Sequence, residues 1–408
     1  MKLSVALLAA TSVLASPPRS SSATLSPVTR EGTSLLVDGK PWKAVGPNIY
    51  WLGLDENVVP PEGEPYYPPT KASYPTKERI TEAFAIVQAL GGTMIRGHTL
   101  GISTGNPLSL VPDPGVVNEA AFETIDWAVY QAGEYGIRLL VPLVDNYDYY
   151  HGGKYTFLRW AGLNLTQARD STNPTIQQFY TNASIVDAFE GYITTLLTHR
   201  NPYTELTYAE DPAIFAFETG NELLGPVWGD MDAPAAWVRG VAAFVKGLAP
   251  GKLVVDGTYG INRTHLGIEE VDIFSDHFYP PDTTKLRSDI EAVEAAGKAF
   301  FAGEYDWIGQ SGGDALESFF SIIEESPAAC GDSFWSLFGH AAPDCDTFVA
   351  HSDGFTLQYG NPANSAYIDS RIQLIRKHFI AMSQGRDIAA SETLPVVPCP
   401  APVSPEGR

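Results

Sequence analysis

The 408-residue chain has few basic residues, few charges overall and few cysteines. Its 26 lysines and arginines are outnumbered by 48 acidic residues, for a formal net charge of −22, and no basic cluster is present. Because binding to phosphates and to anionic lipid surfaces depends on clustered lysine and arginine, nucleic acid and membranes are excluded as predicted partners. With 44% apolar residues and 18% charged residues, the composition is that of a globular protein.

The three cysteines are Cys330, Cys345 and Cys399, so at least one of them stays unpaired within the chain. No CxxC sequence is present, which excludes a zinc ribbon. A disulfide between Cys330 and Cys345 closes a short loop and is the predicted pairing. The alternative is a disulfide through Cys399 that ties the C-terminal tail to the rest of the chain.

Beyond the first residues, no apolar run is long enough to span a membrane. Lys2 precedes a short apolar run over residues 3–14, and small residues follow it, so residues 1–15 are predicted to be a secretory signal peptide. Residues 16–32 begin with a stretch rich in serine, proline and threonine and are predicted to be disordered. The chain is therefore expected to be extracellular, and its three N-glycosylation sequons become candidate sites: Asn164, Asn182 and Asn262.

Residues 33–385 alternate between apolar runs and helical patterns, and residues 386–408 form a tail. After a hairpin with an Asp38-Gly39 turn, eight short apolar runs are typical of buried parallel strands. They cover residues 44–49, 93–97, 137–144, 214–218, 253–256, 273–278, 299–304 and 333–338. Helical patterns begin at the caps Thr76 and Asn118, the first ending at Gly91, and cover 185–197, 235–248, 284–296, 314–324 and 370–382.

This alternation predicts an α/β protein, a (β/α)₈ TIM barrel with an N-terminal β-hairpin. A doubly wound sheet is the alternative fold. That fold favours a glycine-rich turn after its first strand, and no GxGxxG sequence follows any predicted strand.

The chemistry of a barrel lies at the carboxyl ends of its strands. Polar residues cluster there: Arg96 after the second strand, Asn221 and Glu222 after the fourth, His277 and Tyr279 at the sixth, Glu304 at the seventh and Trp335 at the eighth. Two carboxylates, Glu222 and Glu304, are thus predicted to face each other across the barrel mouth.

Two facing carboxylates are the requirement of glycoside hydrolysis. One carboxyl donates a proton to the leaving oxygen, and the other, ionised, attacks the anomeric carbon at a separation of roughly 5 Å in a retaining mechanism. Arg96 and Tyr279 are predicted to keep Glu304 ionised as the nucleophile, and His277 to orient Glu222 as the acid/base. Asn221 is a candidate for binding the sugar 2-hydroxyl, and Trp335 for an apolar floor under one ring.

Taken in chain order, these residues resemble glycoside hydrolase family 5 and, within it, the fungal endo-β-1,4-mannanases. The resemblance runs from about residue 33 to residue 382 and includes Asn48, Trp51 and the His-Phe-Tyr-Pro sequence that begins at His277. It implies that Glu222 is the acid/base and Glu304 the nucleophile. Further candidate sugar contacts are Trp51, His98, Asn146 and Trp307.

The sequence also departs from that family. Leu223-Leu224-Gly225 stands where the mannanases carry Pro-Arg after Asn-Glu, and Asp145-Asn146 stands where many members have a histidine. These changes leave the substrate open. The predicted activity is therefore a retaining endo-β-1,4-mannanase on polysaccharide, with a β-glucanase or an exo-acting β-glycosidase as the alternative.

Other classes of protein are weakly supported. Two GxSxG sequences, around Ser103 and Ser311, raise a serine esterase as a distant alternative, but proline-rich sequence rather than a helix follows Ser103. A sugar-binding barrel without activity would normally have lost one glutamate, and the first strand lacks the HxH of metal-dependent barrel hydrolases. The predicted enzyme is a monomer that needs no cofactor and no metal, because two carboxylates meet the demand for acid, base and nucleophile.

Overall fold

A computed structural model describes residues 25–166, 173–228, 232–389 and 392–403. Its central element is a sheet of eight parallel strands in which neighbours follow the order β1-β8-β7-β6-β5-β4-β3-β2. The strands are β1 (Ala44–Pro47), β2 (Met94–Arg96), β3 (Arg138–Pro142), β4 (Ile214–Glu218), β5 (Leu253–Asp256), β6 (Ile273–Phe278), β7 (Ala299–Tyr305) and β8 (Ala329–Phe334). The amides of Thr93 and Ile49 donate to Val45 and Arg96 across the β1–β2 seam, at 2.8 and 2.9 Å, which closes the barrel. The predicted (β/α)₈ fold is confirmed.

Nine α-helices surround the barrel in the described part of the chain. They are α1 (Lys77–Leu90), α2 (Phe122–Tyr135), α3 (Lys154–Trp160), α4 (Pro174–Thr181), α5 (Ala183–Thr198), α6 (Ala235–Leu248), α7 (Thr283–Ala295), α8 (Leu316–Glu325) and α9 (Ala366–Gln384). Thr76 caps α1 as predicted, and Gly91 ends it in the left-handed conformation. Asn118, by contrast, begins a short 3₁₀ turn rather than α2 itself. The connection between β5 and β6, residues 257–272, is a loop without a helix.

The eighth strand lies earlier in the chain than predicted, at Ala329–Phe334 instead of 333–338. Its small and polar residues do not produce an apolar run, but the structure satisfies its one charged side chain. Asp332 accepts hydrogen bonds from Tyr305 at 2.9 Å and from His378 at 2.7 Å. As a result Trp335 lies just past the end of the strand, where a barrel carries its functional residues.

The N-terminal strands close the opposite end of the barrel. Val28–Glu31, Ser34–Val37 and Lys40–Trp42 form an antiparallel sheet, with the predicted turn between Val37 and Lys40. Val28 and Leu35 pack against the first residues of barrel strands, including Ala44 and Met94. The prediction that residues 16–32 are disordered is therefore wrong for 28–31, because pairing with the hairpin gives that segment an apolar surface to bury. Residues 1–24, with the predicted signal peptide, lie outside the described residues.

The predicted Cys330–Cys345 disulfide is wrong. Cys345 pairs with Cys399, and Cys330 is a free, buried thiol. The physical reason is direction: Cys330 points into the closed end of the barrel beside Ala299, whereas Cys345 lies in the loop after β8. Burial raises the pKa of the Cys330 thiol to about 12.

The described part of the C-terminal tail packs on the barrel. Besides the Cys345–Cys399 disulfide, the Tyr359 hydroxyl donates to the carbonyl of Pro395 at 2.7 Å, and the amide of Val403 donates to Glu78 on α1 at 2.6 Å. Two further strand pairs are short: Leu337–Phe338 with Leu357–Gln358, and Tyr66–Tyr67 with Ala72–Ser73.

The three sequons differ in access. Asn164 is exposed, and Asn182 is half-buried at the start of α5, where its side chain accepts from the amide of Ser184. Asn262 is only 3% exposed, and its side-chain oxygen accepts from Thr264. A glycan therefore fits on Asn164, whereas Asn262 has no room for one in this conformation. Within the described ranges, no helix is long and apolar enough to cross a membrane.

His378, on α9, is buried between two carboxylates. Its Nδ1 lies 2.7 Å from Glu324 Oε1, and its Nε2 lies 2.7 Å from Asp332 Oδ2. Burial by itself lowers the pKa of His378, but the charges and hydrogen bonds of Asp332 and Glu324 outweigh burial and raise the pKa to about 9. The imidazolium form therefore joins α9 to α8 through Glu324 and to β8 through Asp332.

This arrangement predicts a pH-dependent contribution to stability. Because the folded pKa exceeds the unfolded value of about 6.5, the contribution is complete below about pH 6.5 and is lost as the pH rises through about 9. We expect His378→Gln to lower the free energy of unfolding by on the order of 3 kcal/mol at about pH 6, and by clearly less at about pH 10. Urea unfolding of both proteins at the two pH values measures this. A difference independent of pH would mean that His378 is neutral.

Candidate active site

The cavity at the carboxyl ends of the strands has a volume of about 600 Å³. Five of the residues expected there line it: Asn221, Glu222, Tyr279, Glu304 and Trp335. His98 lines it as well, and the rest of its wall consists mostly of tyrosines, histidines and carboxylates. The strand-end pattern in the sequence thus converges on one chamber, closed below by the barrel and the N-terminal sheet.

Arg96 lies at the centre of the barrel and is completely buried. Its Nε donates to Glu218 at 2.8 Å, and its Nη1 donates to Glu304 at 2.7 Å and to Asn48 at 3.0 Å. Its Nη2 donates to Asn221 at 2.9 Å. One guanidinium therefore positions side chains from β1, β4 and β7 at once.

Two carboxylates share this one cation. Burial lowers the pKa of Arg96, but Glu218 and Glu304 outweigh burial and raise it, so the guanidinium stays charged. For Glu218, which is also completely buried, burial dominates over Arg96, and the pKa is raised. A buried ion of this kind is tolerated only with partners of opposite charge at close range.

Glu304 is the more strongly ionised of the two glutamates that Arg96 contacts. Burial raises its pKa, but the charge of His277, the proximity of His98 and the charge of Arg96 together bring the pKa well below its usual range. The Tyr279 hydroxyl donates to its other oxygen at 3.0 Å. Glu304 is therefore an anion held in place by donors on both oxygens, which suits a nucleophile.

Glu222 projects into the cavity from the turn after β4, where its φ of 50° turns the chain. Nδ1 of His277 lies 2.7 Å from Oε1, and the hydroxyl of Tyr147 donates to Oε2 at 2.7 Å. Ligand atoms of Glu222, His277 and Glu304 all lie within 4.8 Å of one another. One oxygen of Glu222 and one oxygen of Glu304 therefore lie within 4.8 Å of each other, close enough for both carboxyl groups to reach one bound bond.

The two histidines of the chamber differ in charge. Burial lowers the pKa of His277, but Glu304 and Glu222 outweigh burial and raise it. For His98, burial and the charge of Arg96 lower the pKa to about 4, so it is neutral near neutral pH. His277, with its raised pKa, lies between the two catalytic candidates, with Nδ1 2.7 Å from Glu222 and 3.7 Å from Glu304, whereas His98 forms a neutral part of the cavity wall.

Trp335 forms an aromatic face of the cavity. Its indole Nε1 donates to Asp353 Oδ2 at 2.7 Å, its ring is stacked on Tyr50 with centroids 5.5 Å apart, and His98 meets it edge-on at 5.1 Å. A flat apolar ring fixed by a carboxylate is suited to stacking against a sugar.

Three of the further candidates lie behind the cavity rather than in it. Trp51 is buried, donates to the carbonyl of Leu337 at 3.1 Å and packs under Arg79. Trp307 is buried and donates to the carbonyl of Phe355 at 2.7 Å. Asn146 is buried and accepts from Lys154 at 2.6 Å. These three residues shape the chamber from outside, and the sequence prediction that they contact sugar is not supported by their positions.

Several residues of the site were not among the predicted site residues. Glu218 is the last residue of β4 and carried a signal, because a carboxylate at a strand end in a barrel points inward. Tyr147 follows β3 and Tyr259 follows β5, but tyrosines at strand ends are as common in packing as in function. His351 and Asp353 come from the long loop after β8, for which no sequence pattern exists.

The two GxSxG serines lie in local hydrogen-bonded turns. The Ser311 hydroxyl donates to Asp306 at 2.5 Å, and Ser103 Oγ accepts from the amide of Leu110 at 2.9 Å. Neither contact supplies the histidine base that a serine esterase requires. As for metals, within the described ranges Glu222, His277 and Glu304 are the group spaced to hold one, and their polar atoms already bind one another and neighbouring side chains.

Comparison with known proteins agrees with this geometry. Residues 26–279, more than half of the chain, match the family model described as "GH family 5 beta-mannosidase-like". The chain therefore belongs to glycoside hydrolase family 5.

Similar proteins come from plants, bacteria and fungi. Mannan endo-1,4-beta-mannosidase 2 of Oryza sativa subsp. japonica is 32% identical over 265 residues, 64% of this chain and 54% of that protein. Mannan endo-1,4-beta-mannosidase 1 of Arabidopsis thaliana is 28% identical over 286 residues, 64% of this chain and 62% of that protein. The match thus spans little more than half the length of these relatives.

Two solved structures share the fold. The endo-beta-1,4-mannanase from Thermotoga petrophila has a TM-score of 0.66 at 21% identity, covering 86% of this chain and 79% of that one. The endo-1,4-beta-mannanase from Rhizomucor miehei has a TM-score of 0.66 at 20% identity, covering 88% and 100%. At these identities the likeness is one of architecture, and it supports the barrel described above.

The shared cation generates a testable prediction about stability. Arg96→Met leaves Glu218 and Glu304 buried without their cation, so we expect the free energy of unfolding to fall by about 3–5 kcal/mol at neutral pH. Adding Glu218→Gln removes one of the two uncompensated charges and should recover part of that loss. Urea unfolding of the single and double variants measures both effects. If Glu218→Gln changes the free energy of unfolding by the same amount in the presence and in the absence of Arg96, the Arg96 and Glu218 side chains act independently.

Proposed function

We propose that this protein is a secreted retaining glycosidase that cleaves internal β-1,4-mannosidic bonds of mannans. The observation that carries the proposal is the pair Glu222 and Glu304, whose carboxyl groups approach within 4.8 Å while only Glu304 contacts the Arg96 guanidinium. Two carboxylates in such unequal surroundings can take the two different roles that glycoside hydrolysis requires.

In the first half of the reaction, a Glu304 oxygen attacks the anomeric carbon and forms a covalent glycosyl-enzyme. Glu222 gives its proton to the glycosidic oxygen as the bond from that oxygen to the sugar breaks. The Tyr279 hydroxyl and Arg96 hold Glu304 in the attacking orientation. Asn221, fixed by Arg96 at 2.9 Å, is placed beside the acid/base to bind the hydroxyl next to the reacting carbon.

In the second half, Glu222 acts as a base. It takes a proton from water, and the water oxygen attacks the anomeric carbon and releases Glu304. Two inversions at one carbon return the original configuration, so the product is a β-sugar. His277 holds Glu222 on one oxygen through both steps.

The choice of mannan rests on the relatives. The proteins from Oryza sativa and Arabidopsis thaliana are named mannan endo-1,4-beta-mannosidases. The solved structures from Thermotoga petrophila and Rhizomucor miehei are named endo-1,4-beta-mannanases. Secretion is supported by the predicted signal peptide and by the Cys345–Cys399 disulfide, since disulfides persist in oxidising compartments.

An exo-acting β-mannosidase is the second candidate. The matching family model is described as β-mannosidase-like, and one solved structure of this fold is a family 5 mannosidase from Rhizomucor miehei. Both candidates use the same two glutamates, and they differ in whether the cleft accepts a chain on both sides of the cut bond.

Product analysis separates these candidates. We expect short manno-oligosaccharides from β-mannan and galactomannan, with little product from carboxymethyl-cellulose or mixed-linkage glucan. Chromatography of early time points measures the products. If mannose is the sole early product, the enzyme acts from the chain end, and the exo-acting candidate replaces the endo-acting one. Products from glucans alone would keep the mechanism and change the substrate, and hydrolysis of simple esters without any sugar release would overturn the proposal.

The nucleophile is tested by chemical rescue. Glu304→Ala should lower turnover by about 10⁴-fold or more. Azide then takes the vacant place and attacks from the same side, so an activated β-mannoside should give the α-mannosyl azide. In the matched variant Glu222→Ala, azide attacks the glycosyl-enzyme and should give the β-mannosyl azide instead. Nuclear magnetic resonance of the products distinguishes the two, and full activity of Glu304→Ala would contradict the assignment.

A further inference from the structure

The carboxyl group of Glu222 has a partner on each oxygen, and the two partners come from different parts of the barrel. His277, on β6, contacts Oε1 at 2.7 Å, and the hydroxyl of Tyr147, in the loop after β3, donates to Oε2 at 2.7 Å. Neither Tyr147 nor its loop enters the mechanism as described so far.

We propose that Tyr147 is a positioning residue for the acid/base, and that its hydroxyl stabilises the negative charge that appears on Oε2 of Glu222 as the proton leaves for the glycosidic oxygen. The inference rests on the proposed function, because it assigns the proton donor of that reaction a fixed neighbour. It names Tyr147 as a residue that governs how well the enzyme expels poor leaving groups.

The hydrogen bonds decide which oxygen carries the proton. The carboxylates raise the pKa of His277, which favours a proton on its Nδ1, and that nitrogen lies 2.7 Å from Oε1. A proton on Oε1 would face that N–H, so the proton belongs on Oε2. Oε2 has two lone pairs, and one of them can hold the proton while the other accepts the hydroxyl of Tyr147.

Proton transfer then strengthens the Tyr147 contact. As the proton passes from Oε2 to the glycosidic oxygen, the sugar–oxygen bond breaks and the bond from Glu304 to the anomeric carbon forms. Oε2 becomes part of an anion, and a hydrogen bond to an ion is stronger than one to a neutral group. An interaction that is stronger in the transition state than in the ground state raises the rate.

The surroundings of Tyr147 favour this role. Burial and the charge of Glu222 raise the pKa of Tyr147 well above its usual value, so its hydroxyl keeps its proton. Its amide donates to Asp145 at 3.1 Å, and its ring meets Tyr149 with centroids 5.4 Å apart. The loop is thereby held at the edge of the cavity, with the hydroxyl aimed inward.

The test compares leaving groups in the full-length protein. Tyr147→Phe removes one oxygen and keeps the ring. We expect kcat/KM for phenyl β-mannobioside, which needs a proton, to fall about tenfold to one-hundredfold. For 2,4-dinitrophenyl β-mannobioside, whose leaving group needs none, kcat/KM should stay within about twofold. Tyr367→Phe, which removes an exposed hydroxyl on α9 that donates to Ile308, is the matched control and should change neither value.

Two outcomes would overturn the inference. Equal losses on both substrates would make Tyr147 a wall of the binding cleft, and no loss on the phenyl substrate would mean that its hydroxyl is irrelevant. Thermal unfolding of Tyr147→Phe confirms that the comparison is made on folded protein, and Tyr147→Gln, which keeps a donor, should recover part of the phenyl rate. Glu222→Ala must show the same selectivity with a larger loss, and if it does not, the proposed function fails rather than the inference.

Discussion

The buried guanidinium of Arg96 is the constraint on which the rest of the structure depends. Removing a charge from water is costly, and Arg96 is accommodated because Glu218 and Glu304 neutralise it at 2.8 and 2.7 Å. These carboxylates stand on β4 and β7, so the pairing fixes the relative position of strands from distant parts of the chain. Arg96 also donates to Asn221, which places that side chain beside Glu222. The contacts that fix the register of the barrel strands therefore also fix the geometry of the site.

The two glutamates acquire different chemistry from unequal neighbours. Glu304 contacts a cation that never loses its proton, and its pKa is held well below its usual range. Glu222 is instead held by Nδ1 of His277 at one oxygen and by the hydroxyl of Tyr147 at the other, each at 2.7 Å. A single polar chamber thus holds two carboxyl groups in unequal surroundings, as the two different roles in double displacement require.

The remaining parts of the chain define the chamber's boundaries. The N-terminal sheet fills the base of the barrel with Val28 and Leu35, which leaves the carboxyl ends of the strands as the functional face. The loop after β8 supplies Asp353, which fixes Trp335, and this loop also contains Cys345 of the disulfide to the tail. Loops that carry function are commonly tied to a rigid scaffold in this way.

The amino-acid sequence was enough to predict the barrel and the facing pair Glu222 and Glu304, because parallel buried strands produce apolar runs and their carboxyl ends share one face. It also determined Arg96, since a lone cation at such an end faces inward. Four features became visible only in the folded chain: the position of β8, the Cys345–Cys399 pairing, the burial of Trp51 and Trp307, and the contacts of Glu218 and Tyr147. Those outcomes depend on which loops and side chains meet across the fold, and local periodicity carries no information about such long-range contacts.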